Sequence, residues 1–251
     1  MKKLLELKNV SLNYYTKTDE IQALDNLNFY CNEGEFVSII GPSGCGKTTV
    51  LSLIAGLITP TMGNLTIDGL KPSTKEGNFG YMLQKDHLFP WRTIEKNVYL
   101  PLEIKGNKNK ESKEYALSLL KKYGLSEFIN KYPEQLSGGM RQRVALIRTL
   151  ACKPKILLLD EPFSALDSQT RLSVCDDVYR IIKSENKTTV LVTHDISEAI
   201  SMSDVIIVLS ARPAKVKSIY RPTIEGLSPI RKRESNSFGL WFEKIWKELN
   251  G

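Results

Sequence analysis

The chain has 251 residues, 41% hydrophobic and 25% charged, which excludes a disordered chain and fits one α/β domain with room for an inserted subdomain. Lys and Arg outnumber Asp and Glu by 35 to 28, giving a net charge of +7. Apart from Arg231-Lys232-Arg233 the basic residues are spread out, so nucleic acid is not an expected partner, and four cysteines without a CxxC pair point to neither a zinc site nor a disulfide framework.

The apolar start at Leu4-Leu5 is broken by Glu6 and Lys8 before it reaches the length of a signal peptide. No stretch approaches the roughly 20 apolar residues of a membrane span, so any membrane role needs spans from another chain. Leu4–Val10 and Ala23–Tyr30 are strand-like and are expected to form a small antiparallel piece. Phe36–Ile40 is a short apolar run of the kind that strands covered on both faces show. It ends at Gly41-Pro42-Ser43-Gly44-Cys45-Gly46-Lys47-Thr48, which matches G-x-x-x-x-G-K-[ST] and opens a helix expected over Thr48–Leu57. Glycines at this spacing let backbone N–H groups surround phosphate oxygens. Lys47 is placed to reach the β- and γ-phosphates of ATP and the Thr48 hydroxyl to hold Mg²⁺.

From about Leu88 to Cys152 the pattern is helical, with a lysine-rich connector at Lys105–Lys113. Within it, Leu136-Ser137-Gly138-Gly139-Met140 is a second glycine turn, opening a helix over Arg141–Leu150. The N–H groups of such a turn make another anion cradle. Spacing alone does not say whether both cradles grip one nucleotide. Ile156–Leu159 is a second apolar strand and ends in Asp160-Glu161, where Asp160 suits Mg²⁺ and Glu161 suits a general base. A helical pattern at Leu172–Ile182 leads to the strand Val190–Val192, after which His194 emerges as a candidate catalytic residue. Val205–Leu209 is a fourth buried strand. Strands alternating with helices imply a mostly parallel sheet, and ligands of open α/β sheets bind at the C-terminal ends of the strands. In the tail, Phe238, Phe242, Ile245 and Leu249 fall at helical spacing and predict a helix packed on its own domain.

Together these motifs resemble the nucleotide-binding subunit of ATP-binding cassette (ABC) transporters, from about residue 4 to about residue 215. Leu136-Ser137-Gly138-Gly139-Met140 is similar to the family's signature motif, Tyr81-Met82-Leu83-Gln84 to its Q-loop and Ser164-Ala165-Leu166-Asp167 to its D-loop, while His194 falls at its switch histidine. The resemblance implies a P-loop NTPase of RecA-like, mostly parallel α/β architecture, with an N-terminal antiparallel β piece and an inserted helical subdomain. On that reading a single domain spans 1–251: a nucleotide-binding core at 1–87 and 153–215, a helical signature subdomain at 88–152, and a tail at 216–251.

The resemblance also implies an ATPase with ATP and Mg²⁺ as its cofactors. Glu161, His194 and Gln84 would be catalytic, and Thr48, Asp160 and Gln84 would face the metal. Tyr14, ahead of Tyr15, would stack on adenine, and Thr49 and Asp167 would join the nucleotide site. Two copies would pair head to tail, so that Ser137, Gly138 and Gly139 act in trans, on the cytoplasmic face of a membrane beneath permease subunits. Leu88-Phe89-Pro90-Trp91-Arg92-Thr93 and Arg212-Pro213 are similar to the nitrate/sulfonate/taurine importer group, which also includes importers of thiamine precursors. That likeness implies import, with a solute-binding protein as an indirect partner. An exporter ATPase with separate membrane subunits, or a soluble cassette ATPase, are the alternatives. One departure from the family pattern is Ile147 and Thr149, both β-branched, in the helix after the signature.

Overall fold

A computed structural model describes residues 2–73, 79–107, 109–226 and 228–250. In chain order the strands are β1 (Lys3–Tyr15), β2 (Glu20–Asn32), β3 (Phe36–Ile40), β4 (Met62–Ile67), β5 (Phe79–Met82), β6 (Ile156–Asp160), β7 (Thr188–Val192), β8 (Val205–Leu209) and β9 (Val216–Tyr220). The helices are α1 (Lys47–Ile54), α2 (Ile94–Ile104), α3 (Lys110–Lys122), α4 (Gly138–Leu150), α5 (Ser168–Ser184), α6 (Ile196–Met202), α7 (Pro229–Arg233) and α8 (Asn236–Asn250).

Two sheets result. A three-stranded antiparallel sheet has the order β2-β1-β4, and a six-stranded sheet has the order β5-β6-β7-β3-β8-β9. All pairs in the larger sheet are parallel except β8 with β9. The expected antiparallel piece is therefore larger than Leu4–Val10 and Ala23–Tyr30 indicated, because both strands run on and β4 joins them.

The unbroken apolar runs follow from burial on both faces. Along β6, Ile156 and Leu158 pack toward the antiparallel sheet and α1, while Leu157 and Leu159 pack toward α4 and α5. Along β8, Val205, Ile207 and Leu209 face the first cluster, and Ile206 and Val208 face α6 and α8. Alternate residues of a strand point to opposite faces, so such a strand needs an apolar residue at every position. Each fully buried Leu or Ile contributes about 1.5–3 kcal/mol. These strands are pinned from both sides, and that rigidity is passed to the loops at their ends.

The stretch between β5 and β6 holds three α-helices, two short 3₁₀ turns and no strand among its described residues. Part of the lysine-rich connector is helical, since α3 begins at Lys110 with Asn109 as its N-cap; Lys108 lies outside the described residues. The tail helix α8 packs against α6 and β8 through Ile245, with Phe238, Trp241 and Leu249 beside it. Phe242, expected on that face, is an exposed residue, and Trp241 turns inward in its stead. The basic run at 231–233 does not form a cationic patch. Arg231 pairs with Glu234 at 2.9 Å, Lys232 lies 5.1 Å over the Tyr179 ring, and the Arg233 Nε and Nη2 atoms are buried. No helix among the described residues is long and apolar enough to cross a membrane.

Candidate active site

Because β3, β5, β6 and β7 run parallel, their C-terminal ends deliver residues to one edge of the sheet. β3 delivers the 41–48 loop. Gly46 there has φ 121°, a conformation open to glycine, and a Cβ at that position would lie 2.9 Å from Leu24 Cδ2. Lys47 is buried, and its Nζ donates to the carbonyls of Gly41 at 2.9 Å and Pro42 at 3.0 Å, which folds the ammonium back over the loop. Cys45 is also buried, and burial pushes its thiol above the ordinary range. Pro42, Ser43 and Gly44 form the outer turn, and Arg212 donates to the Gly44 carbonyl at 2.8 Å from the loop after β8.

β6 delivers Asp160 and Glu161. Thr48 Oγ1 donates to Asp160 Oδ1 at 3.2 Å, and the Tyr81 hydroxyl donates to Oδ2 at 3.2 Å. Burial pushes the Asp160 carboxyl above its ordinary value, while the Tyr81 and Thr48 hydroxyls act the other way. Two oxygen donors, Thr48 and Asp160, thus meet beside the phosphate loop. This is the hard-oxygen donor set that Mg²⁺ takes together with nucleotide phosphates.

Glu161 has φ 45°, in the left-handed region that a non-glycine residue occupies at a cost of roughly 1–3 kcal/mol. Its neighbours hold it there. The Glu161 N–H donates to Val192 O at 2.8 Å, and its carbonyl accepts from Ser164 N at 3.2 Å and Ser164 Oγ at 2.9 Å. Its carboxylate Oε2 lies 3.0 Å from His194 Nδ1, at the end of β7. Gln84, at the end of β5, donates to Ser164 Oγ at 3.1 Å. Gln84, Ser164, Glu161 and His194 therefore form one connected chain across three strand ends.

Tyr14 on β1 is half-exposed, and its hydroxyl lies 3.5 Å from Thr49 Oγ1 at the start of α1. Tyr15 is more exposed.

The second cradle lies elsewhere. Ser137 caps α4, its Oγ accepting from Met140 N at 3.3 Å. A Cβ on Gly139 would lie 2.6 Å from Val174 Cγ2, and one on Gly138 would lie 3.2 Å from Leu166 Cδ2, so this turn is pressed against α5 and the segment before it. Asp167 caps α5, accepting from Thr170 N at 3.0 Å, and those N–H bonds hold its carboxyl below the ordinary range. Among the described residues no hydrogen bond or ion pair joins Ser137, Gly138, Gly139 or Asp167 to the 41–49 loop.

The profile of the ABC transporter family matches residues 24–164, which hold the phosphate loop, the 136–140 turn and the Asp160-Glu161 strand end. The chain belongs to the ABC transporter family. As an ABC cassette it is an ATP-binding and ATP-hydrolysing subunit. It is 50% identical over 248 residues to the ABC transporter ATP-binding protein YtlC of Bacillus subtilis, covering 98% of this chain and 95% of that protein. The aliphatic sulfonates import ATP-binding protein SsuB of Bacillus anthracis is 39% identical, with 98% and 95% covered. The nitrate import ATP-binding protein NrtD of Synechocystis is 40% identical, with 85% and 80% covered. The ABC cassette MJ0796, solved as a dimer in a post-hydrolysis state with ADP and Pi, superposes with a TM-score of 0.72 at 38% identity, over 87% of this chain and 98% of that one.

Ser164, Tyr81 and Arg212 enter the sequence reading only as members of motifs, with no role of their own, and the structure gives each a contact at the strand-end edge. Each sits inside or beside a motif, but its contact depends on how strands and loops are aligned.

Proposed function

We propose that this cassette energises solute import, as one of two copies paired head to tail beneath membrane permease subunits on the cytoplasmic face. A solute-binding protein would deliver the cargo. Two observations support import: the names of the SsuB and NrtD relatives, and the Leu88–Thr93 stretch, whose Trp91 is 71% exposed although it is a large apolar residue. An exposed tryptophan is the kind of anchor that partner surfaces favour.

The observation that carries the mechanism is the strained Glu161, held between Ser164 and His194 at the end of β6. A backbone held in a costly conformation by Val192 and Ser164 fixes where the side chain starts, and His194 meets its carboxylate, so the group is pre-organised to orient a water molecule. In this reading Glu161 accepts the proton of the attacking water, and His194 holds the Glu161 carboxylate and faces the γ-phosphate. Lys47 moves from the Gly41 and Pro42 carbonyls to the β- and γ-phosphates, and the N–H groups of Gly44, Cys45, Gly46 and Thr48 surround the phosphate oxygens. Thr48 and Asp160, with Gln84 near them, would hold Mg²⁺, which supplies charge neutralisation on the phosphates. Tyr14 stacks on adenine. Ser137, Gly138, Gly139 and Asp167 of a second copy complete the site.

Glu161→Gln tests the assignment. The variant should bind ATP with the parent's affinity and hydrolyse it at least about 100-fold more slowly, since positioned proton transfer contributes 10²–10⁴-fold. It should also elute as a dimer in ATP. Hydrolysis near the parent rate would sink the general-base role.

A further inference from the structure

Asp160 receives two hydroxyls, and only one belongs to the phosphate loop. The other comes from Tyr81, on a different strand. β5 pairs with β6 in parallel, with Tyr81 level with Leu158. Residues level with each other on neighbouring strands point to the same face, and so do residues two apart on one strand. Tyr81, Leu158 and Asp160 therefore share a face. Two residues of parallel strand span about 6.6 Å, and the phenol crosses that interval to place its hydroxyl 3.2 Å from Asp160 Oδ2. The ring is anchored against the core cluster that includes Leu158, so the hydroxyl has a fixed origin.

The consequence falls on the Asp160 carboxylate. An Asp side chain turns easily about its terminal torsion, whose preferences are broad and roughly two-fold. Here the two oxygens are held by different donors, Oδ1 by Thr48 and Oδ2 by Tyr81. With Oδ2 held, Oδ1 stays turned to Thr48 and the phosphate loop. Groups that fix a ligating carboxylate in this way commonly set metal affinity.

We propose that Tyr81 is a positioning residue for metal binding: its hydroxyl clamps Asp160 so that Oδ1 is presented beside Thr48 before the ion arrives. The proposal rests on the reading of Asp160 and Thr48 as the Mg²⁺ ligands.

The test uses the full chain with Mn²⁺ as a paramagnetic probe, titrated in the presence of ADP, in the parent and in Tyr81→Phe, Asp160→Asn and the double variant. Phenylalanine fills the same space and lacks only the donor. Tyr81→Phe should weaken Mn²⁺ binding by about 10-fold or more while ADP affinity measured in EDTA stays at the parent value. The Mg²⁺ concentration for half-maximal ATPase should rise, with kcat recovered at saturating Mg²⁺. Adding Tyr81→Phe to Asp160→Asn should cost nothing further. If Asp160→Asn weakens Mn²⁺ binding and Tyr81→Phe does not, the clamp is wrong and the ligand reading stands. If Asp160→Asn leaves Mn²⁺ binding intact, the ligand reading fails and the clamp with it. A loss on adding Tyr81→Phe to Asp160→Asn would show the phenol acting by another route and would overturn the proposal.

Discussion

Thr149 shows how one methyl group constrains the strand that carries Tyr81 and leads to Gln84. Its Oγ1 donates back to the Ala145 carbonyl at 2.9 Å, which fixes the side chain with Cγ2 toward β5. A Cβ on Gly80 would lie 2.4 Å from that methyl and 3.1 Å from Pro154 Cγ. Gly80 thus lets α4 and β5 approach, and the departure from the family pattern at Thr149 is matched by a residue with no side chain. Gly80→Ala should destabilise the fold by about 1–3 kcal/mol through overpacking. Thr149→Ser, which keeps the hydroxyl and deletes the methyl, should recover part of that loss. A double-mutant cycle by urea unfolding reads the coupling, and additivity within about 0.5 kcal/mol would mean the two residues do not press on each other. At this scale much of the candidate site was legible, because Asp160, Glu161 and His194 each stand at or just beyond the end of an apolar run, and Lys47 closes the glycine loop that follows another. Tyr81 was not legible as a partner of Asp160, because that contact exists only once β5 and β6 are set in register.

The elements divide in the same way. β3, β6, β7 and β8 were readable because all their residues are buried. β4 contains Gly63 and exposes half its length, β5 has four residues, and β9 alternates between partly buried and exposed residues, so none carries a strong apolar run. α1 stops at Ile54, before the expected Leu57, because Gly56 takes φ 66° and ends the helix. α6 was not among the elements read from the sequence, and it holds a carboxyl that burial brings close to neutral pH. Glu198 is 3% exposed, and its Oε2 accepts from Thr193 Oγ1 at 2.5 Å. Burial pushes its carboxyl from an ordinary 4.5 up to about 7; Asp195 pushes the same way, and the Thr193 hydroxyl, Arg171 and Arg233 oppose. A carboxyl raised on folding binds a proton in the folded state that the unfolded chain has released. Its stabilising contribution is therefore complete below about pH 4.5 and is lost as pH rises through about 7. The difference between those two values corresponds to at most about 3.5 kcal/mol. Glu198→Gln keeps an acceptor for Thr193 and cannot ionise, so the gap in urea midpoint between variant and parent should widen in the variant's favour from pH 5 to pH 8. A gap that stays constant across that range would show that Glu198 is charged throughout.

For the whole molecule, the arrangement of the two cradles decides how many chains make one site. The phosphate loop bonds within itself and to Asp160, Arg212 and Tyr14, whereas the Ser137 turn is packed on α5 and bonds within α4. Each cradle is held in its own place, one at the end of β3 and the other by glycines packed so closely that a side chain would displace Val174 or Leu166. Half-sites that do not bond to each other in one chain are what an isologous pair requires, because each copy then offers one half to the other. The solved relative at TM-score 0.72 is itself a dimer. Mixing Lys47→Ala chains with Ser137→Arg chains separates the two possibilities. Each variant alone has two damaged sites per dimer. In a mixed dimer with shared sites, one site collects both lesions and the other collects none. Equal mixing should then restore up to about a quarter of the parent's sites, and with them measurable ATPase, by simple combinatorics of a two-fold pair. If each site lies within one chain, every mixed dimer carries two damaged sites. Activity that never rises above either variant, with mixed dimers demonstrated by differential tagging, would rule out the shared site.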